Sequence, residues 1–445
     1  MERIVILGAG ESGVGAAVLA KTKGFEVFVS DLSTIGEEET ETLKKWDIPY
    51  EEGGHTLDRI LDAGEIIKSP GIPENAPVIQ AVRKKDIPVI SEIEFAGRYD
   101  KSRKICITGS NGKTTTTSII YFLLRNAGLN VGLAGNIGKS YAYQVATEKH
   151  DYYVLELSSF QLDGMYEFRA DIAVILNITP DHLDRYGFKM KNYVNAKFRI
   201  TQNMRSEDCF IFCSDDEVTV GHLNEIVLQC KKLPFSQEQK EEEGAYAMDG
   251  EMHVNVEGEE YRMFLDELSL QGRHNIYNSM AAAITAKVMK ISNKIIRESL
   301  MSFKNIEHRN EFVRTLHGIT FINDSKGTNV DATYYALDCL KANVIWIAGG
   351  TDKGNDYSEL YALVKEKVTA LVCLGMDNRK LHESFGNMIP VIVDTRNAED
   401  AVKAAYELAK PGDTVLLSPC CASFDLFRNY EERGTLFKKA VNELK

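Results

Sequence analysis

The chain has 445 residues, 44% of them hydrophobic and 26% charged, and a net charge of -13. That length suits about three domains, and the composition excludes a disordered chain. The acidic balance argues against a nucleic-acid binder, which needs a basic surface to displace counterions.

No stretch approaches the ~18 uninterrupted apolar residues of a membrane helix, so no membrane insertion is expected. The opening MERIVILGAG runs straight into an apolar strand and a glycine turn without signal-peptide anatomy, so the expected location is cytoplasmic. Cysteines at 106, 209, 213, 230, 339, 373, 420 and 421 form no CxxC pair. Buried reduced thiols are expected, rather than a zinc site or a disulfide framework.

In chain order, short Val- and Ile-rich runs predict strands at 4–7, 27–30, 65–69, 105–108, 153–156, 172–177, 344–348, 370–374 and 414–418. Longer amphipathic stretches separate them, the rhythm of βαβ units with mainly parallel sheets. Glycine loops after Leu7 and Ile107 each open a sheet system, which places a boundary near Glu94. Between Glu207 and Leu270 the pieces CFIFC, EMHVNV and YRMFL read as hairpin strands added to the middle domain. Helices are expected over 275–289 and 294–303, and a third α/β unit from about Glu307. The acidic runs at 37–41 and 241–243 read as solvated surface. The fold class is therefore α/β in three domains: residues 1–93 Rossmann-like, 94–306 P-loop-like with a mainly parallel sheet plus hairpin strands, and 307–445 Rossmann-like.

The strongest motif is the segment 105–117, ICITGSNGKTTTT, followed by the helical SIIYFLL. Strand, glycine turn and helix start make a nest of N–H groups for phosphate oxygens. Lys113 offers a point charge to phosphates and the Thr114 hydroxyl a ligand for Mg²⁺. The loop departs from the usual Walker pattern, with Ile107 where the first glycine would stand. Glu156 ends the next apolar strand, and Asn177-Ile-Thr-Pro-Asp181-His182 ends another, at the sheet edge where ligands collect. In isolation His182 reads as a cap or surface residue and Lys197 as a solvated one. At the amino terminus, Gly8, Gly10, Gly13 and Asp31 match a dinucleotide fingerprint, which leaves an NAD-dependent dehydrogenase as a rival. The diphosphate that such a loop recognises also occurs in UDP. A nucleotide-binding regulator without catalysis is a third reading, opposed by the presence of Glu156, His182 and Lys197.

Nine segments together resemble the Mur ligases: GSNGKTTT, GNIG at 135–138, ELSSFQLD at 156–163, NITPDHLDRY at 177–186, the Lys197 helix, GRHNIYN at 272–278, HRNEF at 308–312, NDSKGTN at 323–329 and SPCCASFDLFRNYEERG at 418–434. The resemblance runs along the whole chain and is narrower to the branch that adds D-glutamate. It implies three domains for nucleotide sugar, ATP and amino acid, and an ATP-dependent ligation of D-glutamate to UDP-N-acetylmuramoyl-L-alanine through an acyl phosphate, in peptidoglycan precursor synthesis. Closure of the third domain would complete the site.

By that resemblance Lys113, His182 and Lys197 are catalytic. Gly109, Ser110, Asn111, Gly112, Lys113, Thr114, Thr115, His274, Asn275, Asn278, Arg309 and Asp324 meet ATP. Glu11, Ser12, Gly13, Asp31, Ser69, Pro70, Gly71, Asn136, Gln161 and His182 meet the UDP substrate. Thr328, Lys353, Ser423, Phe424 and Tyr430 meet D-glutamate. Two Mg²⁺ sites are implied, on Thr114, Glu156, His182 and a carbamylated Lys197, in a monomer. Thr351 stands where the D-glutamate pattern has an acidic residue, with Asp352 beside it, so either of them is open for the nucleotide-side role.

Overall fold

A computed structural model describes residues 2–304, 307–340, 343–352 and 354–445. Three sheets carry the chain. The first is all parallel, in the spatial order Tyr50–Glu51, Glu26–Ser30, Arg3–Leu7, Glu65–Lys68, Val89–Ile90. The second has nine strands, in the order Glu259–Phe264, Glu251–Val256, Gly244–Met248, Lys231–Ser236, Cys209–Cys213, Ile172–Ile175, Arg103–Thr108, Tyr152–Glu156, Val131–Gly135. Its last six strands in that order are parallel, and Gly244–Phe264 forms an antiparallel meander at the far edge. The third has six strands, Glu311–Leu316, Ile319–Asn323, Thr414–Leu417, Val344–Ala348, Val368–Leu374, Ile392–Thr395, parallel except for the hairpin 311–323.

One expectation fails here. CFIFC at 209–213 is not a hairpin strand: it lies parallel to Ile172–Ile175 and Lys231–Ser236. Its apolar run is largely buried, as an interior parallel strand requires, and the helix Glu217–Leu223 makes the crossover. Only the pieces with alternating burial, such as Glu251–Val256, form the meander.

By contact density the chain falls into two compact units, residues 1–269 with 275–303, and 270–274 with 304–445. The first two sheets belong to one unit because they share a core. Side chains of the first sheet's layer, such as Val18 and Ile93, cluster with Tyr141, Tyr153 and Leu155 of the second. The helix Glu11–Thr22 lies so close to the start of Tyr141–Thr147 that a Cβ at Gly15 would stand 2.0 Å from Ser140 Oγ. Glu92 and Glu94, at the expected boundary, knit the layers together. Glu92 Oε1 accepts from Ser140 Oγ (2.7 Å) and the Ala142 N–H (2.6 Å), while Glu94 Oε2 accepts from the N–H groups of Tyr166 and Phe168, each at 2.9 Å.

Burial raises the Glu92 carboxyl from 4.5 to about 7, against the opposing pull of its hydrogen bonds. The stabilising contribution of this group is therefore complete below about pH 4.5 and is lost as pH rises through about 7. Glu92→Gln keeps the acceptor oxygen and removes the titration. The variant's stability relative to the parent is expected to improve by up to roughly 3 kcal/mol between pH 4.5 and 8. Denaturant unfolding at the two pH values checks this, and parallel pH profiles for the two proteins would refute it.

All eight cysteines are free, and seven are buried as expected. Cys339 is exposed, because it caps the surface helix Val330–Asp338. Among the described residues no helix is long and apolar enough to cross a membrane.

Candidate active site

The phosphate loop sits between the strand Arg103–Thr108 and the helix Lys113–Asn126. Gly112 caps the helix with φ of +83°, and a Cβ there would lie 2.5 Å from Asn278 Oδ1, so glycine is needed for both backbone and space. Ser110 and Asn111 are fixed from the strand end at Asn177. The Ser110 N–H donates to Asn177 O (2.9 Å), the Asn111 N–H to Asn177 Oδ1 (2.8 Å), and Ser110 Oγ donates to Thr179 O (2.8 Å). Lys113 Nζ curls over the loop and donates to the carbonyls of Gly109 and Ser110, both at 2.8 Å. Thr114 and Thr115 are buried in the first helical turn. Thr116 Oγ1 donates to Asn278 Oδ1 (3.1 Å) and Asn278 Nδ2 to Asn275 Oδ1 (3.2 Å), so Asn278 lies against the start of the loop's helix and Asn275 is bonded to it.

Lys197 is not solvated: only 1% of it is exposed. Its Nζ donates to Gly109 O (2.7 Å), the carbonyl that also accepts from Lys113, and lies 4.6 Å from the Tyr193 ring centroid. Burial, and then the charge of Lys113, push the Lys197 ammonium well below its usual range. Glu156 is equally buried and neighbours Ile107 across the sheet. Its Oε1 accepts from Asn136 Nδ2 (2.8 Å), whereas Oε2 is buried with no hydrogen-bond partner among the described residues. A carboxylate oxygen left bare in the interior is costly unless a cation meets it. The donor set of hydroxyl and carboxylate oxygens therefore fits Mg²⁺. His182 starts a short 3-10 helix with φ of +52°, half exposed, its ring 5.2 Å from Phe160 and its Nε2 3.5 Å from Asp181 Oδ2.

At the first sheet, Asp31 is spent on the glycine loop and its own turn: Oδ2 accepts from the Ala9 N–H (2.6 Å) and Oδ1 from the Ser33 N–H (2.8 Å). Ser12 and Gly13 lie in the first turn of Glu11–Thr22, but Glu11 Oε1 accepts from the Ser140 N–H (3.0 Å). Ser69 Oγ donates to Gly8 O (3.2 Å). Arg185 donates to the carbonyls of Pro70, Gly71 and Ile72 at 3.3, 3.3 and 3.4 Å while its guanidinium covers Phe160. The glycine-loop layer is thus tied to the NITPDHLDRY segment. Gln161 closes a capping box with Ser158, and Asn136 serves Glu156, so both side chains already hold local partners.

In the carboxy-terminal unit, three loops meet at the carboxyl ends of Ile319–Asn323, Val344–Ala348 and Thr414–Leu417. The Thr351 N–H donates to Ala422 O (2.8 Å), the Cys420 N–H to Gly327 O (3.0 Å), and Ser418 Oγ to Asp324 Oδ2 (2.8 Å). Arg433, fully buried, ties the same loops through Ser325 Oγ (3.0 Å), Ser325 O (2.9 Å) and Cys421 O (3.3 Å). Burial raises Asp324 to about 6, against the pull of the Arg309 charge. Thr328 is half-buried, Ser423 buried and Phe424 exposed, and Tyr430 begins the last helix with Lys326 Nζ 5.0 Å from its ring centroid. Lys353 lies outside the described residues. Asp352 closes its loop, accepting from the N–H groups of Gly354 (2.7 Å) and Asn355 (3.1 Å), from Lys380 (3.0 Å) and from the Tyr357 hydroxyl (2.8 Å). Burial, then the Arg309 charge, lower His274 to about 4, so it presents a neutral imidazole.

Sequence reasoning gave no loop-fixing role to Asn177, to Tyr193, whose hydroxyl lies 3.1 Å from Ser110 Oγ, or to Arg433. Tyr193 stands four residues before Lys197 on one helix, a spacing that places both on one face.

The chain matches the Mur ligase middle domain over residues 107–286, the Mur ligase, glutamate ligase domain over 308–421, and the MurD N-terminal domain over 3–78. UDP-N-acetylmuramoylalanine–D-glutamate ligase of Bacteroides fragilis is 58% identical over 100% of both chains. This chain belongs to that family of Mur ligases. The family's Porphyromonas gingivalis member is 53% identical over 99% of this chain and 98% of its own. A solved UDP-N-acetylmuramate-alanine ligase from Thermotoga maritima, 19% identical with a TM-score of 0.64 over 100% of both chains, shares the three-domain Mur ligase fold.

Proposed function

We propose a residue-level reading of the activity that family membership gives this chain. The chain is an ATP-dependent ligase adding D-glutamate to UDP-N-acetylmuramoyl-L-alanine in peptidoglycan precursor synthesis. In this reading residues 1–93 hold the UDP substrate, 94–306 hold ATP and 307–445 hold the amino acid. The observation that carries it is the bare Glu156 oxygen at the sheet edge beside a loop where Lys113 and Lys197 share the Gly109 carbonyl.

Glu156 and Thr114 would hold one Mg²⁺, and His182 with Lys197 a second. When bound, the ions neutralise the negative charge that gathers on the transferring phosphoryl group. Lys113 leaves its loop carbonyls for the β and γ phosphates, while the N–H groups of residues 110–115 take the remaining oxygens. Lys197 is proposed to act as its carbamate. Carbamylation joins the neutral amine to dissolved CO2 with release of a proton to water, and burial beside Lys113 favours the neutral amine. The modification turns the side chain from a cation into an oxygen donor.

The carboxylate of UDP-N-acetylmuramoyl-L-alanine takes the phosphoryl group of ATP, and the D-glutamate amine then displaces phosphate. His274, Asn275 and Asn278 are proposed for ATP, with Arg309 and Asp324 as nucleotide-contacting groups of the carboxy-terminal unit. Glu11, Ser12, Gly13, Asp31 and Ser69 to Gly71 are proposed for UDP, and Asn136, Gln161 and His182 for the muramoyl tail. Thr328, Ser423 and Lys353 would grip the two carboxylates of D-glutamate, with Phe424 and Tyr430 as walls. Because ATP and a UDP-linked sugar are charged and do not cross membranes, the proposed monomer acts in the cytoplasm.

Titration calorimetry tests the amino-terminal assignment. UDP-N-acetylmuramoyl-L-alanine should bind and NADH should not, since in this reading Asp31 serves the uracil rather than an adenosine ribose. Saturable micromolar NADH binding without any response to the UDP substrate would return the dehydrogenase reading.

A further inference from the structure

Away from the loops assigned above, the carboxy-terminal sheet carries a side-chain cluster to which the proposed ligase site gives no role. Cys373 in Val368–Leu374 and Asp394 in Ile392–Thr395 are register partners on adjacent parallel strands, so their side chains share a face. His382, on the helix Arg379–Phe385 that covers this face, brings Nε2 to 3.1 Å from both carboxylate oxygens of Asp394. One donor atom from each of Cys373, His382 and Asp394 lies within 4.8 Å of the others.

A tetrahedral site with metal–ligand bonds of 2.0–2.3 Å needs its donor atoms roughly 3.3–3.6 Å apart. The His382–Asp394 separation is already close to that value, and the imidazole is half exposed. Asn378 adds a second observation. Its Nδ2 donates to Asp394 Oδ1 (2.9 Å), orienting that carboxylate, while its Oδ1 is buried with no hydrogen-bond partner among the described residues. His382 and Asp394, with Asn378, line a cavity of about 1170 Å³ while Cys373 is buried, so a metal here would keep an open coordination position on the cavity side.

We propose that Cys373, His382 and Asp394 form a binding site for a borderline-soft divalent cation of the Zn²⁺ class, distinct from the Mg²⁺ sites of the ligase centre. Thiolate, imidazole and carboxylate together select such a metal over Mg²⁺, which takes oxygen ligands. Binding releases the Cys373 thiol proton to water and leaves a sulfur–metal bond, so affinity rises with pH. The spacing of the three ligands, 373, 382 and 394, matches no common zinc motif, which is why a CxxC search passes over it.

Cobalt titration of the full-length protein tests this, because a thiolate ligand gives Co²⁺ a near-ultraviolet charge-transfer band that oxygen ligands at a Mg²⁺ site do not. One equivalent of Co²⁺ should produce the band, and Zn²⁺ should displace it. His382→Gln, a surface change, should weaken binding at least ~10-fold without altering stability, and Cys373→Ser should abolish the band. Cys339→Ser should leave the band unchanged, which separates the site from the exposed thiol. Absence of a band at stoichiometric Co²⁺, or a band indifferent to His382→Gln, would overturn the proposal and leave His382 and Asp394 as an ion pair only.

Discussion

Lys113→Ala is expected to lower the rate of ligation by at least ~10³-fold while leaving the protein folded. The loop does not depend on this side chain, because Ser110 and Asn111 are fixed by Asn177 and Thr179, and Gly112 is packed against Asn278. The ammonium's two hydrogen bonds to loop carbonyls are partly exposed and are worth little to stability, so unfolding free energy should stay within about 1 kcal/mol of the parent. Charge on a transferring phosphoryl group is another matter, since cations aimed at it carry factors of about 10³ or more. Steady-state phosphate release with a parallel melting curve reads both quantities. Turnover within a few fold of the parent would show that this loop is not the catalytic one.

Lys197→Ala is expected to cost at least ~100-fold in turnover, and two explanations compete for that loss. A lysine that only holds the Gly109 carbonyl would act as an amine, whereas a carbamate acts as an oxygen donor. Acetate carries the carboxylate and ethylammonium the amine, so chemical rescue separates them. Partial recovery with acetate and none with ethylammonium is the expected result. Recovery with ethylammonium alone would assign Lys197 to holding the loop. The buried stem also leaves a cavity on truncation, so each rescue is to be compared at a temperature where the variant is fully folded.

Local patterns made much of the architecture readable before any coordinates. The apolar runs at 105–108, 153–156 and 344–348 became interior parallel strands, and the phosphate loop opened a helix at Lys113. What stayed hidden depends on partners distant in sequence. CFIFC reads alike as a hairpin or a crossover strand, and only its neighbours Ile172–Ile175 and Lys231–Ser236 decide between them. Lys197 looks like surface on its helix because the carbonyl that receives it lies 88 residues away. The fingerprint at Gly8 to Gly13 with Asp31 matches a dinucleotide site by spacing, yet the carboxylate is turned onto the Ala9 amide. Glu11 likewise faces Ser140 of the second sheet's layer, a contact that no local window contains. Asp352, left level with Thr351 by sequence, is drawn into its own loop by two amides, Lys380 and Tyr357.

The most direct test is phosphate release from ATP with UDP-N-acetylmuramoyl-L-alanine, compared across D-glutamate, L-glutamate, L-alanine, L-lysine and meso-diaminopimelate. A site built to hydrogen-bond two carboxylates of fixed stereochemistry rejects analogues that leave its donors unpaired by large factors. Turnover with D-glutamate at least ~100-fold above every other amino acid, with a matching amide product, is the expected result. Turnover led by another amino acid, or phosphate release that D-glutamate leaves unchanged, would contradict it.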